Sequence, residues 1–291
     1  MIDAVRAEWI KIIRNARLTA ALVWIFPIAA ATTLVVGFII SLVSGGFAAF
    51  MGQSTWSSDL VAIWGVINRF PVNVFGRMLP LAFMAVVFAG EFQWETWRLI
   101  VPRAERTKLL LAKLAAIVLA VTLSLALASV IMVALQAAGH AALGEVYGPD
   151  LTVEMVSQAA RNLLVEALIA SLTLLLLGAF AAVSAFITKT VLGALMLSFG
   201  FSLVELLSLG VLALLSSWFD RPGILNLYRY MPNFNLENLR AWVIEGHGLT
   251  ALPFNLVVEA SLGESLLFVG IWITAVVAWA NSIFRRQDIT T

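Results

Sequence analysis

Cysteine is absent from all 291 residues, which excludes disulfides, thiolate metal sites and cysteine nucleophiles. Charge is almost as scarce: Asp, Glu, Lys and Arg make up 12% of the chain, against about 25% in soluble domains. There are only two histidines. His140 and His247 stand far apart and outside any His-x-x-x-His or His-Glu-x-x-His frame, so no metal site is expected. No Gly-x-x-x-x-Gly-Lys-[Ser/Thr] phosphate cradle occurs and no Gly-x-Ser-x-Gly elbow, so neither ATP hydrolysis nor serine-type hydrolysis is expected of this chain. Its basic residues gather only beside apolar runs, which leaves nothing for a nucleic acid to bind.

Apolar sequence is what remains. Hydrophobic residues account for 62% of the chain and the mean hydropathy is +0.98, so most of it belongs in lipid. Six stretches are long enough to cross a bilayer: residues 18–43, 74–92, 109–138, 163–187, 191–217 and 265–284. Arg77 and Pro80 interrupt the start of the second. The reading is an all-α integral membrane protein, residues 18–291 forming one six-span domain behind an amino-terminal segment, residues 1–17. That segment is not expected to be a cleavable signal, because Asp3, Glu8, Lys11 and Arg14 interrupt it.

Lysine and arginine sort the spans by side. Arg6, Lys11, Arg14 and Arg17 precede the first; Arg98, Arg103, Arg106, Lys108 and Lys113 follow the second; Lys189 separates the fourth and fifth; Arg285 and Arg286 end the sixth. The positive-inside rule makes these segments, and both termini, cytoplasmic. The opposite loops hold many of the acids, among them Asp59, Glu145, Asp150, Asp220, Glu237 and Glu245. Two of those loops carry Phe47, Phe50, Trp56 and Trp64, and Tyr228, Tyr230 and Trp242, which predicts short helices in an aromatic belt at the membrane surface. No internal repeat of the kind found in secondary carriers is visible.

Two segments predict contact with a partner. In residues 1–17, Ile2, Val5, Trp9, Ile12 and Ile13 share one helical face while Asp3, Arg6, Lys11, Arg14 and Arg17 share the other. Such a helix lies in the membrane surface, either as an anchor on anionic lipid or with its polar face docked to a cytoplasmic protein. Between the second and third spans runs Glu91-Phe92-Gln93-Trp94-Glu95-Thr96-Trp97-Arg98, closed by Pro102 and followed by Arg103, Arg106 and Lys113. On a helix, Glu91 and Glu95 stand one turn apart, as do Trp94 and Arg98, so a short knob presents carboxylates, aromatics and bases together.

This segment resembles the intracellular loop of type-2 ABC exporter permeases, with Glu91, Thr96, Leu99, Pro102, Arg106 and Lys113 at the family's acidic, threonine, leucine, proline, arginine and lysine places. Glu95 stands where the family pattern has glycine. The ending Ile283-Phe284-Arg285-Arg286-Gln287-Asp288-Ile289 is similar to the family's Phe-x-Arg-Arg-Asp-Ile, with Gln287 inserted. The resemblance implies a dimer of this chain with itself or a paralogue, in the plasma membrane of a prokaryotic cell, paired with two copies of an ABC ATPase subunit that bind ATP and magnesium. It also implies a coupling helix over Gln93 to Arg106, assisted by the amino-terminal helix, including Arg6, Trp9, Lys11 and Arg14, and by the loop at Thr188–Thr190.

Polar residues inside the spans are the candidates for a path. Ser198, Ser202, Glu205 and Ser208 share a stripe on the fifth span; Thr122, Ser129 and Gln136 recur at intervals of seven on the third, and Arg77, Met84 and Glu91 on the second. A charge in hydrocarbon usually faces a cavity or a partner, whereas hydroxyl stripes also serve helix packing. Ser198, Ser202, Glu205 and Gln136 are therefore expected either to line a translocation path or to join helices. Arg161 and Glu166 are expected to be structural, near the outer boundary. The function expected is a permease exporting a hydrophobic or amphipathic substrate; a secondary carrier, a channel or a membrane-embedded enzyme is the alternative.

Overall fold

The computed structural model describes residues 1–15, 23–44, 54–69, 73–97, 101, 105–144, 146–249 and 258–287. These residues are predominantly helical, with no strand among them. In chain order α1 is Ile2–Arg14, α2 Ile25–Ser44, α3 Trp56–Ala62, α4 Gly65–Asn68, α5 Asn73–Gly76, α6 Met78–Gln93, α7 Arg106–Leu143, α8 Val153–Thr188 and α9 Val191–Trp218. A 3-10 helix at Pro222–Tyr230, α10 at Pro232–Ile244 and α11 at Leu262–Arg286 complete the described chain.

Among the described residues four helices, α7, α8, α9 and α11, are long and apolar enough to cross a membrane, which makes this a multi-pass membrane protein. The first two expected spans are shorter as helices: α2 begins at Ile25, and α6 begins at Met78, with the single turn residue Arg77 between it and α5. Pro80 sits in the first turn of α6, where a missing backbone N–H costs nothing.

The long helices overrun the apolar stretches that predict them, because helices end at caps rather than where hydropathy falls. Thr152 accepts from the backbone N–H of Met155 to start α8, and Thr190 from that of Gly193 to start α9. Ser261 and Glu264 form a capping box at α11. Gly144 takes the left-handed conformation, φ 69°, that closes α7. At 38 residues α7 is about 57 Å long, well beyond the roughly 30 Å of hydrocarbon in a bilayer.

α8 is the central helix. It packs against α6, α7, α9, α10 and α11, and from Ala170 to Phe186 nearly every side chain is buried. The core is built around it from Phe83, Phe88, Leu110, Ile117, Val121, Leu174 and Val183.

Between α2 and α6 the described residues form three short helices; Phe75 on α5 is exposed, whereas Trp64 turns inward. Trp64 is buried and its indole N–H donates to Ser129 Oγ of α7 at 2.9 Å, rather than resting at a membrane surface as the sequence predicts. Gly76 permits this folding back: a Cβ there would lie 2.0 Å from the carbonyl oxygen of Val66. Trp56 donates to the Pro149 carbonyl at 2.6 Å. Phe47 and Phe50 lie outside the described residues.

Candidate functional site

The segments that basic residues group on one side meet at one end of the bundle. α1, the end of α6, the start of α7, the end of α8 and the end of α11 are joined there by charge and by aromatic packing.

The charged part is a network of four groups. Lys113 Nζ, in the second turn of α7, donates to Glu8 Oε2 at 2.7 Å and to Glu91 Oε1 at 2.9 Å. Lys11 Nζ donates to Glu8 Oε1 at 2.7 Å and approaches Glu91 Oε1 at 3.4 Å. The Thr96 hydroxyl takes the remaining Glu91 oxygen. Lys113 is 2% exposed. A charge buried so deeply is tolerable only when paired and hydrogen-bonded, and the two carboxylates and two ammoniums here cancel. Burial opposes the charge on Lys11, but the Glu8 and Glu91 carboxylates outweigh it and raise its ammonium above the ordinary 10.5.

Beneath this network lies an aromatic cluster. The Trp97 ring stands 4.7 Å from that of Phe284, which stacks at 4.7 Å on Phe186, and Lys113 Nζ lies 5.4 Å from the Trp97 ring centre. Arg106 Nη1 donates to the carbonyls of Phe284, Arg285 and Gln287, at 2.8, 2.9 and 2.8 Å, and so caps the last turn of α11. Gln287 in turn donates to the Phe186 carbonyl.

Several residues expected on a docking surface are therefore internal. Trp97 is 1% exposed, Glu91 is buried, and Arg106 is engaged with α11. The helix also stops sooner than Glu91 and Glu95 on one face would require: α6 ends at Gln93, a turn covers Trp94 to Thr96, and Glu95 adopts φ 54°. Gln93, Trp94 and Glu95 remain at the surface, Trp94 at 62% exposure. Arg98, Pro102 and Arg103 lie outside the described residues, as does Arg17. On α1, Arg6 and Arg14 are exposed and Trp9 is half-buried against the core.

Glu8 is the member that the sequence reading missed. Its signal was position: at about 100° per residue it lies only about 40° from Ile12, at the border of the apolar face.

A second charged site lies inside the bundle. Arg77, 1% exposed, donates from Nη1 to Glu205 Oε2 of α9 at 2.9 Å, from Nη2 to Asn233 Oδ1 at 3.0 Å and from Nε to the Ile67 carbonyl at 3.0 Å. One guanidinium thereby ties α4, α9 and the start of α10 together. The α9 stripe of Ser198, Ser202, Glu205 and Ser208 is buried, with α6 and α8 packed against this helix. Ser198 and Ser208 donate to carbonyls of their own helix. Gln136 does not join them: it lines a separate cleft of about 220 Å³ with Leu34, Val35 and Phe38 of α2.

At the opposite end, buried Glu166 accepts from Arg69 Nη2 at 2.8 Å, Arg240 Nε at 2.7 Å and Asn68 Nδ2 at 3.0 Å. Arg161 Nη2 donates to the Val243 carbonyl at 2.7 Å. His140 stacks on Tyr147, whose hydroxyl donates to Asp59 at 2.7 Å. Burial raises the Asp59 carboxyl above its usual range, against the hydrogen bond from Tyr147. No cluster of metal ligands occurs among the described residues.

No protein-family model and no curated protein matches this chain. The network at the α1 end and the Arg77–Glu205 pair stand on their geometry.

Proposed function

We propose that this chain is the membrane-spanning permease subunit of an ATP-binding-cassette exporter, driven by a separate ATPase and moving a hydrophobic or amphipathic substrate. The observation that carries the reading is the junction of α1, the α6–α7 turn and the first turns of α7 through Glu8, Lys11, Glu91 and Lys113. A push on a surface turn reaches the bundle only if the turn is rigidly joined to it. Here the turn carries exposed Gln93, Trp94 and Glu95 on the outside, and Glu91, Thr96 and Trp97 bind it to the helices within.

The permease pattern supports the same assignment at two places. Its acidic, threonine and lysine positions, Glu91, Thr96 and Lys113, converge on one network. Its glycine position is taken by Glu95, and Glu95 has the positive φ that favours glycine. In this reading α1 is interfacial, six segments span the membrane, the junction end faces the cytoplasm, and two copies of the chain stand over two ATPases. The α9 stripe, closed by Arg77–Glu205, becomes the path when α9 parts from α6.

The test is affinity capture of the tagged protein from its native membrane in mild detergent, followed by mass spectrometry. A stoichiometric soluble ATPase is expected, and Trp94→Ala with Glu95→Ala is expected to release it while the chain remains folded. A chain that comes down alone overturns the permease reading and favours a secondary carrier.

A further inference from the structure

Beside the charged network a cleft of about 220 Å³ opens between α1 and α6, lined by Lys11, Ile12, Asn15, Val86, Val87 and Trp94 among others. Its walls change character along its length. Val86 and Val87 lie on the apolar helix α6, a turn or more before Glu91; Lys11 and Asn15 lie at the exposed end of α1; Trp94, largely exposed, stands just past the end of α6. Apolar side chains at one end, and charged groups with an amphipathic indole at the other, is the change of polarity met on leaving the hydrocarbon of a bilayer.

The network leaves one kind of group unfilled. Both Glu8 oxygens and both Glu91 oxygens have donors, and Lys113 is spent on two carboxylates and the Trp97 face. Lys11 has three N–H donors and, among the described residues, points two of them at carboxylates, at 2.7 and 3.4 Å. The third N–H, with the Asn15 carboxamide, calls for an acceptor, preferably an anionic oxygen.

We propose that this cleft is a binding site for one membrane phospholipid, its phosphodiester on Lys11 and Asn15 and an acyl chain along Val86, Val87 and Ile12. The site needs only that the chain sits in lipid and does not rest on the transporter reading. It differs from general attraction of a basic helix to an anionic surface, because the network is neutral overall and the apolar wall requires a chain as well as a phosphate.

Native mass spectrometry of the whole chain in detergent tests it, with dioleoylphosphatidylglycerol as the probe, dioleoylglycerol as the chain without phosphate and inorganic phosphate as the anion without chains. One phosphatidylglycerol is expected to bind above the background of non-specific adducts, with neither control replacing it. Lys11→Gln is expected to weaken that binding about tenfold or more, from loss of one charge-assisted hydrogen bond. Val87→Trp fills the apolar end, leaves every charge in place, and is expected to weaken it comparably. Unchanged binding in either variant overturns the assignment; so does equal binding of dioleoylglycerol, or displacement of the lipid by phosphate alone.

Discussion

Arg77 and Glu205 are each other's ionic partner at a buried place, so the consequence of changing one depends on whether the other remains. Glu205→Gln leaves a buried guanidinium without its counter-ion and is expected to destabilise the fold by about 3–5 kcal/mol. The paired change Arg77→Met with Glu205→Leu removes both charges together and is expected to fall near neutral, with a gain of about 1–4 kcal/mol within range. Thermal unfolding of the two variants in one detergent measures the contrast. Equal losses would mean that the pair is not coupled. Serines on the same stripe differ in kind: Ser198 and Ser208 donate to carbonyls of their own helix, so their replacement by alanine leaves no buried charge unpaired.

At the scale of the element, α1 is held by charge as much as by its apolar face. Ile12 and Glu8 are the two side chains that it buries, while Ile2 and Ile13 stay exposed within the protein. Because Lys11 is held above its ordinary 10.5 in the folded chain, its share of the anchoring is complete below pH 10.5 and is lost as pH rises through the raised value. A spin label on Ile10→Cys, an exposed position, is therefore expected to gain mobility in that alkaline window and not between pH 7 and 10. In the Lys11→Met background the alkaline step should disappear. The turn after α6 follows the same logic of local need. Glu95 carries a positive φ that most residues avoid, and the buried Trp97 and the Thr96 bond to Glu91 hold it there.

At the scale of the molecule, the absence of cysteine makes topology directly measurable, since any introduced thiol is the only one. Lys189, between α8 and α9, and His247, beyond α10, are both exposed and belong to opposite ends of the bundle. Lys189→Cys is expected to react with an impermeant maleimide only from the cytoplasmic side, and His247→Cys only from the outside. The reverse pattern would overturn the proposed orientation, and with it the proposal that a cytoplasmic ATPase docks at the junction of α1, α6 and α7.

Much of this was legible in one dimension because lipid imposes simple rules. Long apolar runs announce α7, α8, α9 and α11, but the caps Thr152 and Ser261, which start α8 and α11 ahead of their apolar runs, went unread. Basic residues grouped into one set the segments that do meet at one end. Glu91, Thr96 and Lys113 were visible as a pattern before they were visible as a network. Pairing was not legible, because it joins residues far apart in the chain: Glu8 to Lys113, Arg77 to Glu205, Trp64 to Ser129, Arg106 to the end of α11. Trp97 and Arg106 look like surface residues in sequence, and only their contacts with α8 and α11 turn them inward. Hydropathy and charge asymmetry, summed over many residues, determined that the chain enters lipid and how its segments sort. Which polar groups would be buried together was decided by the tertiary structure, since a charge can leave water only where the fold has already brought its partner.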